Sequence, residues 1–192
     1  SSDGGTFGLQ HLISDSQGNT YLIGKLGSGD PLYVLNNSYG FGGYVLKFSP
    51  TGNLLWNQSL NTSGGSAQYV EIVNALLDSN ENLLIQMTIA GTLALGNNAI
   101  TSDGWQDAAI VSLNKNGSWQ WGVIMGGDAS ENAQLMQVVG DTVMFTAFSS
   151  GGTYFNIGNA NYSRSTTSAE YYVGAINITT GNVIWSANLS SD

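Results

Sequence analysis

The side chains that most often carry enzyme chemistry are scarce in this sequence. There is one histidine, His11, and no cysteine, so a Cys–His pair is excluded and a Ser–His–Asp triad would depend on His11 alone. The sequence has no G-x-S-x-G turn, and its glycine-rich stretches lack the lysine and the following helix of a phosphate-binding loop. His11 lies in an apolar stretch, where we expect an ordinary structural histidine. We predict that the protein is not an enzyme and that it carries no cofactor.

Paired carboxylates are the main catalytic alternative, because glycoside hydrolysis needs two of them at a set separation. Thirteen acidic residues make some such pair unavoidable. None of them lies in a recognisable motif, so a glycoside hydrolase is the third of three hypotheses.

One acidic turn resembles the first half of a calcium loop. Asp78, Asn80 and Asn82 place oxygen atoms at alternate positions, and residues 15–19 repeat this pattern more weakly. The glutamate of the twelfth loop position is missing, and Asp and Asn are the usual residues of hairpin turns. We favour a plain turn, with a Ca²⁺ site as the alternative, and predict no other metal site.

Aromatic residues in or beside the long connections are the candidates for ligand binding, because binding residues concentrate in loops. These candidates are Tyr39, Phe41, Trp105, Tyr162 and Tyr171. They support the second hypothesis, which is a lectin-like carbohydrate-binding module.

The charge composition excludes several classes of partner. Four basic residues stand against thirteen acidic ones, and the formal net charge is −9. This balance argues against nucleic acid and against anionic membrane surfaces, both of which bind through Lys and Arg. No apolar run approaches the length of a membrane span, so we predict no membrane insertion.

Asn-x-Ser/Thr sequons are frequent and are candidate glycosylation sites. They begin at Asn36, Asn57, Asn61, Asn116, Asn161, Asn177 and Asn188. Glycans at these positions predict an extracellular or cell-surface protein. The alternative is that Asn, Ser and Thr are simply abundant turn residues.

These residues are carried by a repeated segment that ends in tryptophan. Residues 44–56, 109–121 and 173–185 resemble one another and end in Trp56, Trp121 and Trp185. A fixed long period indicates a repeat architecture. The spacing predicts that Leu46, Val111 and Ile176 are equivalent, as are Phe48, Leu113 and Ile178. We expect the three tryptophans to pack between units, with sugar stacking as the alternative.

Each unit has the same order of strand and turn signals. Short β-branched and aromatic runs alternate with turns rich in Gly, Asn and Asp, and no stretch shows helical periodicity. We predict an all-β chain of three units with two hairpins, or four strands, in each, and a loop between the hairpins. The predicted units are residues 6–61, 62–126 and 127–192, after a flexible segment at residues 1–5.

The second unit resembles the β-propeller repeat of secreted bacterial and archaeal surface proteins. Residues 88–127 carry nearly all of that family's pattern, namely the G-T-x-x-x-G segment, a strand like D-x-x-V-x-x-L with Ile110 in place of the valine, the turn before tryptophan and the trailing Gly-Gly. The first unit keeps part of this pattern, and the third departs most, with a turn that we take to be one residue shorter. The resemblance implies four-stranded propeller-like units of about 65 residues each.

Three such units are too few to close a ring, since propellers have about four to eight blades. The first and last units would each leave an apolar face uncovered unless other chains or blades complete them. We therefore predict a homo-oligomer or polymer that acts as a structural or adhesive protein, either as a filament or as a surface-layer subunit.

Overall fold

The structure is a computed structural model, and it describes residues 7–26, 32–34, 37–39, 42–64, 69–164 and 168–189. Within these residues every named strand pairs antiparallel with its neighbours, which confirms the all-β prediction. The described part contains no helix, so it has no helical segment that is long and apolar enough to cross a membrane. Residues 1–5, predicted to be flexible, lie outside the described part.

The first sheet has four strands in the order β1-β2-β5-β6. Their bounds are β1 Phe7–Ser14, β2 Thr20–Leu26, β5 Gly42–Phe48 and β6 Leu54–Ser59. A separate two-stranded hairpin, β3 Leu32–Val34 and β4 Asn37–Tyr39, lies in the connection from β2 to β5.

The second sheet repeats this plan and is longer. It contains β8 Tyr69–Leu77, β9 Leu83–Ala90, β12 Asp107–Leu113 and β13 Trp119–Gly127. Its connecting hairpin consists of β10 Thr92–Leu95 and β11 Asn98–Thr101, and a short strand, β7 Thr62–Ser63, precedes the sheet.

The third sheet has the order β14-β15-β18-β19. Its strands are β14 Glu131–Val139, β15 Thr142–Ser149, β18 Glu170–Asn177 and β19 Val183–Asn188, with a connecting hairpin of β16 Tyr154–Ile157 and β17 Ala160–Ser163. The strand order of each sheet is linear, so none of the described sheets closes on itself.

The segment predicted to be a loop between the two hairpins of each unit contains a third hairpin. In the second and third units one strand of this hairpin pairs with a strand that precedes the four strands of its own sheet. Strand β10 pairs with β7 through Leu93 and Thr62, and β16 pairs with β13 through Phe155 and Gly127. The hairpin of the third unit is therefore hydrogen-bonded to the second sheet, whereas β7 belongs to neither the first nor the second four-stranded sheet.

The strand register defines which residues are counterparts in the three sheets. The first strand of each sheet has a register shift at one place, between Leu9 and His11 in β1 and at the matching points in β8 and β14. Ile176 pairs with Val183 as Phe48 pairs with Leu54, so Ile176 corresponds to Phe48. The predicted equivalences of Ile176 with Leu46 and of Ile178 with Phe48 are therefore both wrong.

The cause of this difference is the length of the third turn. Gly117 donates its N–H to the carbonyl oxygen of Asn114, three residues back, whereas Gly181 donates to Asn177, four residues back. The turn at 177–181 is therefore one residue longer than the turn at 114–117, and not one residue shorter as the sequence suggested.

Two apolar clusters fill the spaces between consecutive sheets. The first joins Tyr21, Ile23 and Val45 of the first sheet to residues of the second sheet such as Ile72, Ile85 and Val111. The second joins Leu84, Ala108 and Ile110 of the second sheet to residues of the third such as Met136, Phe145 and Tyr172. A smaller cluster of Leu26, Tyr44 and Leu46 lies on the other face of the first sheet.

Candidate assembly interface

The first junction between sheets is built around a tryptophan seated on a hairpin turn. Trp56 in β6 donates its indole N–H to the carbonyl oxygen of Lys115 at 3.0 Å. Its ring lies against Gly117, where a Cβ atom would approach the ring to 2.7 Å. Gly117 also has φ +82°, which favours glycine, so this turn both needs glycine and leaves room for the ring.

The second junction repeats this contact. Trp121 in β13 donates its indole N–H to the carbonyl oxygen of Ile178 at 2.9 Å, and its ring lies against Gly181, again with 2.7 Å to a hypothetical Cβ atom. Trp121 is only 8% exposed. The prediction that the repeated tryptophans pack between units is confirmed for Trp56 and Trp121.

A buried ion pair reinforces the first junction. Lys47 Nζ lies 3.0 Å from Asp15 Oδ2, donates to the Tyr21 hydroxyl at 2.7 Å and donates to the Lys115 carbonyl oxygen at 3.1 Å. Burial alone would raise the pKa of Asp15, but the hydrogen bonds from Asn19 and Lys47 outweigh it and lower that pKa. The pKa of Lys47 is raised, because its hydrogen bonds to Tyr21 and Asp15 outweigh the opposing effect of burial. The ammonium group thus joins both sheets.

The first strands of successive sheets are also connected by side chains. Gln10 donates to the Glu71 carboxylate at 3.1 Å and to the Ile72 carbonyl oxygen at 3.2 Å. Asn74 donates to the Met136 carbonyl oxygen at 3.2 Å, one sheet further along the chain. Each junction therefore combines apolar packing with polar contacts at the first and last strands.

In the described chain, the face of the first sheet that points away from the second sheet is exposed at strand β1, whereas Leu46 on the same face is only 2% exposed. We call it the head face, and it includes Leu9, Leu12, Leu22, Leu46 and Phe48. Leu9 is 52% exposed and Leu12 is 62% exposed. The residues at the same register positions in the second and third sheets are each less than 10% exposed, because a preceding sheet covers them. These residues are Ile72, Ala75, Ala133 and Met136.

The face of the third sheet that points away from the second sheet is also partly exposed in the described chain. The tail face of the third sheet consists of Met144, Tyr171, Val173, Trp185 and Leu189. Tyr171 is 49% exposed, Trp185 45% and Leu189 59%. Their counterparts in the second sheet, Ala108, Trp121 and Met125, are buried. The tail face also contains a depression of about 380 Å³ lined by Met144, Thr146 and Val173.

A second depression, of about 880 Å³, lies beside β19. Its lining includes Ile100, Asn159, Tyr162, Asn182 and Trp185. The Tyr162 hydroxyl is hydrogen-bonded to the Ser186 hydroxyl. We call this depression the β19 groove, and it combines aromatic rings with side-chain amides.

A buried acid pair lies between the second and third sheets, and sequence reasoning did not find it. Asp107 is 1% exposed, and its Oδ2 accepts the Asp103 N–H at 2.6 Å. Glu131 is fully buried and accepts hydrogen bonds from the Gly127 N–H and the Ser149 hydroxyl. Burial, and then the adjacent Glu131 carboxyl, raise the pKa of Asp107 to about 9. The pair therefore retains a proton at neutral pH, and its burial gives a sugar substrate no access in this structure.

The calcium candidate is a self-contained turn. Asp78 Oδ1 accepts the N–H groups of Asn80 and Asn82, both at 2.8 Å, and its Oδ2 accepts the Asn82 side-chain amide at 2.8 Å. Asp15 makes the same contacts with Gln17 and Asn19. Among the residues that the structure describes, no three acidic or histidine side chains form a metal-binding group.

The aromatic candidates whose side chains the structure describes do not form one site. Tyr39 lies in β4, but its side chain and the whole of Phe41 lie outside the described part. Trp105 is 78% exposed in the connection before β12, whereas Tyr162 lies in β17 on the β19 groove. Tyr171 lies in β18, with its ring 5.1 Å from that of Phe148.

The sequons differ in accessibility. Five asparagines, Asn57, Asn61, Asn116, Asn161 and Asn188, are exposed. Asn177 is half-buried, and its Oδ1 accepts the N–H groups of Thr179 and Thr180, while Asn36 lies outside the described residues. Most of the described sequons are thus placed where a glycan could be attached.

Comparisons with known proteins do not identify the chain. No protein-family model matches it, and no curated protein matches it either.

Proposed function

We propose that this protein is a structural or adhesive subunit of the cell surface or extracellular space, built from three propeller-like units, that self-associates through its head and tail faces. The assembly would be a filament, a surface layer or a closed ring in which several chains complete one another. Repeat units bury their faces against neighbours, and the first and third sheets each have one such face that the described chain leaves partly exposed.

The main support for this proposal is the difference in exposure between residues at equivalent positions of the three sheets. Leu12 is 62% exposed, whereas its counterparts Ala75 and Met136 are 8% and 7% exposed. At the other end, Leu189 is 59% exposed and its counterpart Met125 is fully buried. The same positions in the repeat are therefore core inside the chain and surface at its ends.

The energy available from these faces favours association only when the whole face is used. Complete burial of one Leu or Val side chain contributes about 1.5–3 kcal/mol. Association costs about 4–15 kcal/mol in lost freedom of motion, so one or two side chains are not enough. Leu9 and Leu12 at the head, with Tyr171, Trp185 and Leu189 at the tail, provide several such contributions.

The exposed sequons and the low charge content support the proposed extracellular location. Only 9% of the residues are charged. Glycans on exposed asparagines such as Asn57 and Asn161 would keep the remaining surface hydrated. Intact mass measurement of the protein from its natural source tests this part, because a mass equal to that of the polypeptide would exclude glycosylation.

A charged substitution in the head face tests self-association. We expect the wild-type chain to show a mean mass above that of one chain in light scattering, and Leu12→Glu to return it to one chain while circular dichroism is unchanged. Leu55→Glu is the matched control, since Leu55 is 50% exposed but its counterpart Gln120 is also exposed in the covered second sheet. If the Leu12→Glu variant self-associates as strongly as the wild type, the proposed role of the head face is contradicted.

A carbohydrate-binding module is the alternative function, and the β19 groove favours it. The groove brings Tyr162 and Trp185 together with the amides of Asn159 and Asn182, and sugars are bound by stacking on aromatic rings and by hydrogen bonds to such amides. Binding on a glycan array that is lost in Tyr162→Ala and kept in Trp105→Ala would favour this alternative. No glycan binding by the wild-type chain would exclude it for the glycans tested.

A further inference from the structure

We infer that the contact between copies is head-to-tail and follows the repeat register, so that Trp185 of one copy sits on the turn Ser49–Gly52 of a second copy. This inference rests on the proposed self-association and specifies its geometry. The partner is a second copy of this chain, and the site is incomplete without it.

The turn at residues 49–52 has the same backbone structure as the turn that receives Trp56. Ser49 accepts the Gly52 N–H at 2.9 Å, as Asn114 accepts the Gly117 N–H at 2.9 Å. Gly52 has φ +81° and Gly117 has φ +82°. The first unit therefore has a preformed turn that can receive a tryptophan ring, and we call the surface of such a turn a tryptophan seat.

This seat is uncovered within the described chain. A Cβ atom at Gly52 would meet nothing within 4 Å, whereas the same atom at Gly117 or Gly181 would lie 2.7 Å from a tryptophan ring. The counterpart of Lys115, whose carbonyl oxygen accepts the Trp56 indole N–H, is Pro50. Proline lacks an N–H but keeps its carbonyl oxygen, which is the only backbone atom that the tryptophan hydrogen bond requires.

Trp185 is the remaining member of the tryptophan series. It pairs with Ala175 across β18 and β19, as Trp56 pairs with Lys47 and Trp121 with Ser112. Its counterpart Trp121 is 8% exposed, but Trp185 itself is 45% exposed. The described part of the chain thus has two turns occupied by a tryptophan ring, one such turn without a ring in the first sheet, and one half-exposed tryptophan in the third sheet.

The direction of the contact follows from this arrangement. In both internal junctions the tryptophan belongs to the earlier sheet and the turn to the later one. A second copy that continues this order makes a heterologous contact, which either closes into a ring or extends as a filament. A two-fold contact between two tail faces would leave both seats at Gly52 uncovered.

Two substitutions separate these geometries. Trp185→Ala removes the ring, and Gly52→Ala places a Cβ atom where the ring would lie. In a head-to-tail contact each variant alone weakens self-association at least about tenfold. An equimolar mixture of the two has one intact junction, from Trp185 of the Gly52→Ala chain to Gly52 of the Trp185→Ala chain, and should form dimers that contain one copy of each.

Matched controls account for effects on folding. Trp105→Ala removes another exposed tryptophan, and Gly64→Ala changes another glycine with positive φ (71°) that has nothing within 4 Å of its Cβ position. Both should assemble like the wild type. Formation of mixed dimers is itself a control, because two misfolded chains would not restore one another.

Sedimentation velocity with one variant fluorescently labelled measures mixed dimers directly. Dimers in the mixture but not in either variant alone support the head-to-tail register. If the wild type self-associates and the Gly52→Ala variant does so equally strongly, the inferred head-to-tail register is wrong. The proposed self-association itself would still hold. A wild-type chain that stays monomeric over about a thousandfold range of concentration overturns both.

Discussion

Trp121 donates its indole N–H to the carbonyl oxygen of Ile178 at 2.9 Å, which ties the last strand of one four-stranded unit to the hairpin turn of the next. Trp56 makes the same contact with Lys115 one unit earlier. The same type of contact thus recurs at both junctions. The third tryptophan of the series, Trp185 in β19, is half exposed.

Two substitutions of Trp121 should destabilise the fold to different degrees. Trp121→Phe loses the indole hydrogen bond, which contributes about 0.5–1.5 kcal/mol. Trp121→Ala also leaves a cavity, and we expect a loss of about 3–5 kcal/mol in the free energy of unfolding. Urea denaturation measures both. Trp105→Ala, at a highly exposed position, should change stability by less than about 0.5 kcal/mol, and an equal effect of the two alanine variants would contradict the packing role of Trp121.

A pair of glycine substitutions isolates the seat for the tryptophan ring. Gly52→Ala and Gly117→Ala face the same backbone strain, because φ is +81° and +82° at these positions. Only Gly117→Ala also places a Cβ atom against the Trp56 ring. We expect it to cost about 1–3 kcal/mol more than Gly52→Ala, as overpacking does. Thermal denaturation at low protein concentration compares the two, and equal losses would show that Trp56 does not need this space.

The buried ion pair between Lys47 and Asp15 should matter far more than the exposed one between Lys25 and Glu71. Lys47→Met leaves the Asp15 carboxylate buried without its cation, which typically costs about 3–5 kcal/mol. Adding Asp15→Asn should recover part of that loss. Lys25→Met breaks a pair whose side chains are 29% and 41% exposed, and should cost less than about 1 kcal/mol. Chemical denaturation of the three variants measures these differences, and equal effects of both lysine changes would refute the distinction.

The acid pair predicts a loss of stability with rising pH. Burial and the Glu131 carboxyl raise the pKa of Asp107 from its ordinary value of 3.8 to about 9. The folded protein therefore keeps a proton that the unfolded chain releases. The stabilising contribution of Asp107 is complete below the unfolded pKa of 3.8 and is lost as pH rises toward the folded value of about 9.

Asp107→Asn removes this titration while keeping an uncharged side chain of similar shape. Between about pH 5 and 8 we expect the free energy of unfolding to fall less steeply in the variant than in the wild type, by on the order of 1 kcal/mol per pH unit at most. Urea denaturation across that pH range measures the two slopes. Identical slopes would show that Asp107 is ionised in the folded protein at neutral pH.

The strands and turns were predictable because their signals are local. Asp78 and Asn82 mark the turn between β8 and β9, and the apolar run 83–88 falls within β9. The hairpin β10–β11 was not predicted, because its strands are only four residues long and part of its pairing is with Thr62 and Ser63, some thirty residues earlier. Short strands that depend on distant partners carry little signal in the sequence itself.

The junctions could be predicted only in part. The repeated tryptophans indicated packing between units, and the structure places Trp56 and Trp121 there. Lys47 gave no such signal, because a lysine that alternates with Leu46 and Phe48 is ordinarily expected on the surface and becomes buried only when the next unit covers it. The pairing of Asp107 with Glu131 also depends on contact between two sheets, and spacing along the chain does not indicate it.

The proposed binding of the head face of one copy to the tail face of another can be tested on the wild-type chain itself. Sedimentation velocity of the wild-type protein over about a thousandfold range of concentration tests it most directly. Self-association predicts a sedimentation coefficient that rises with concentration as monomers convert to larger species. A single folded species with the mass of one chain at every concentration would contradict it.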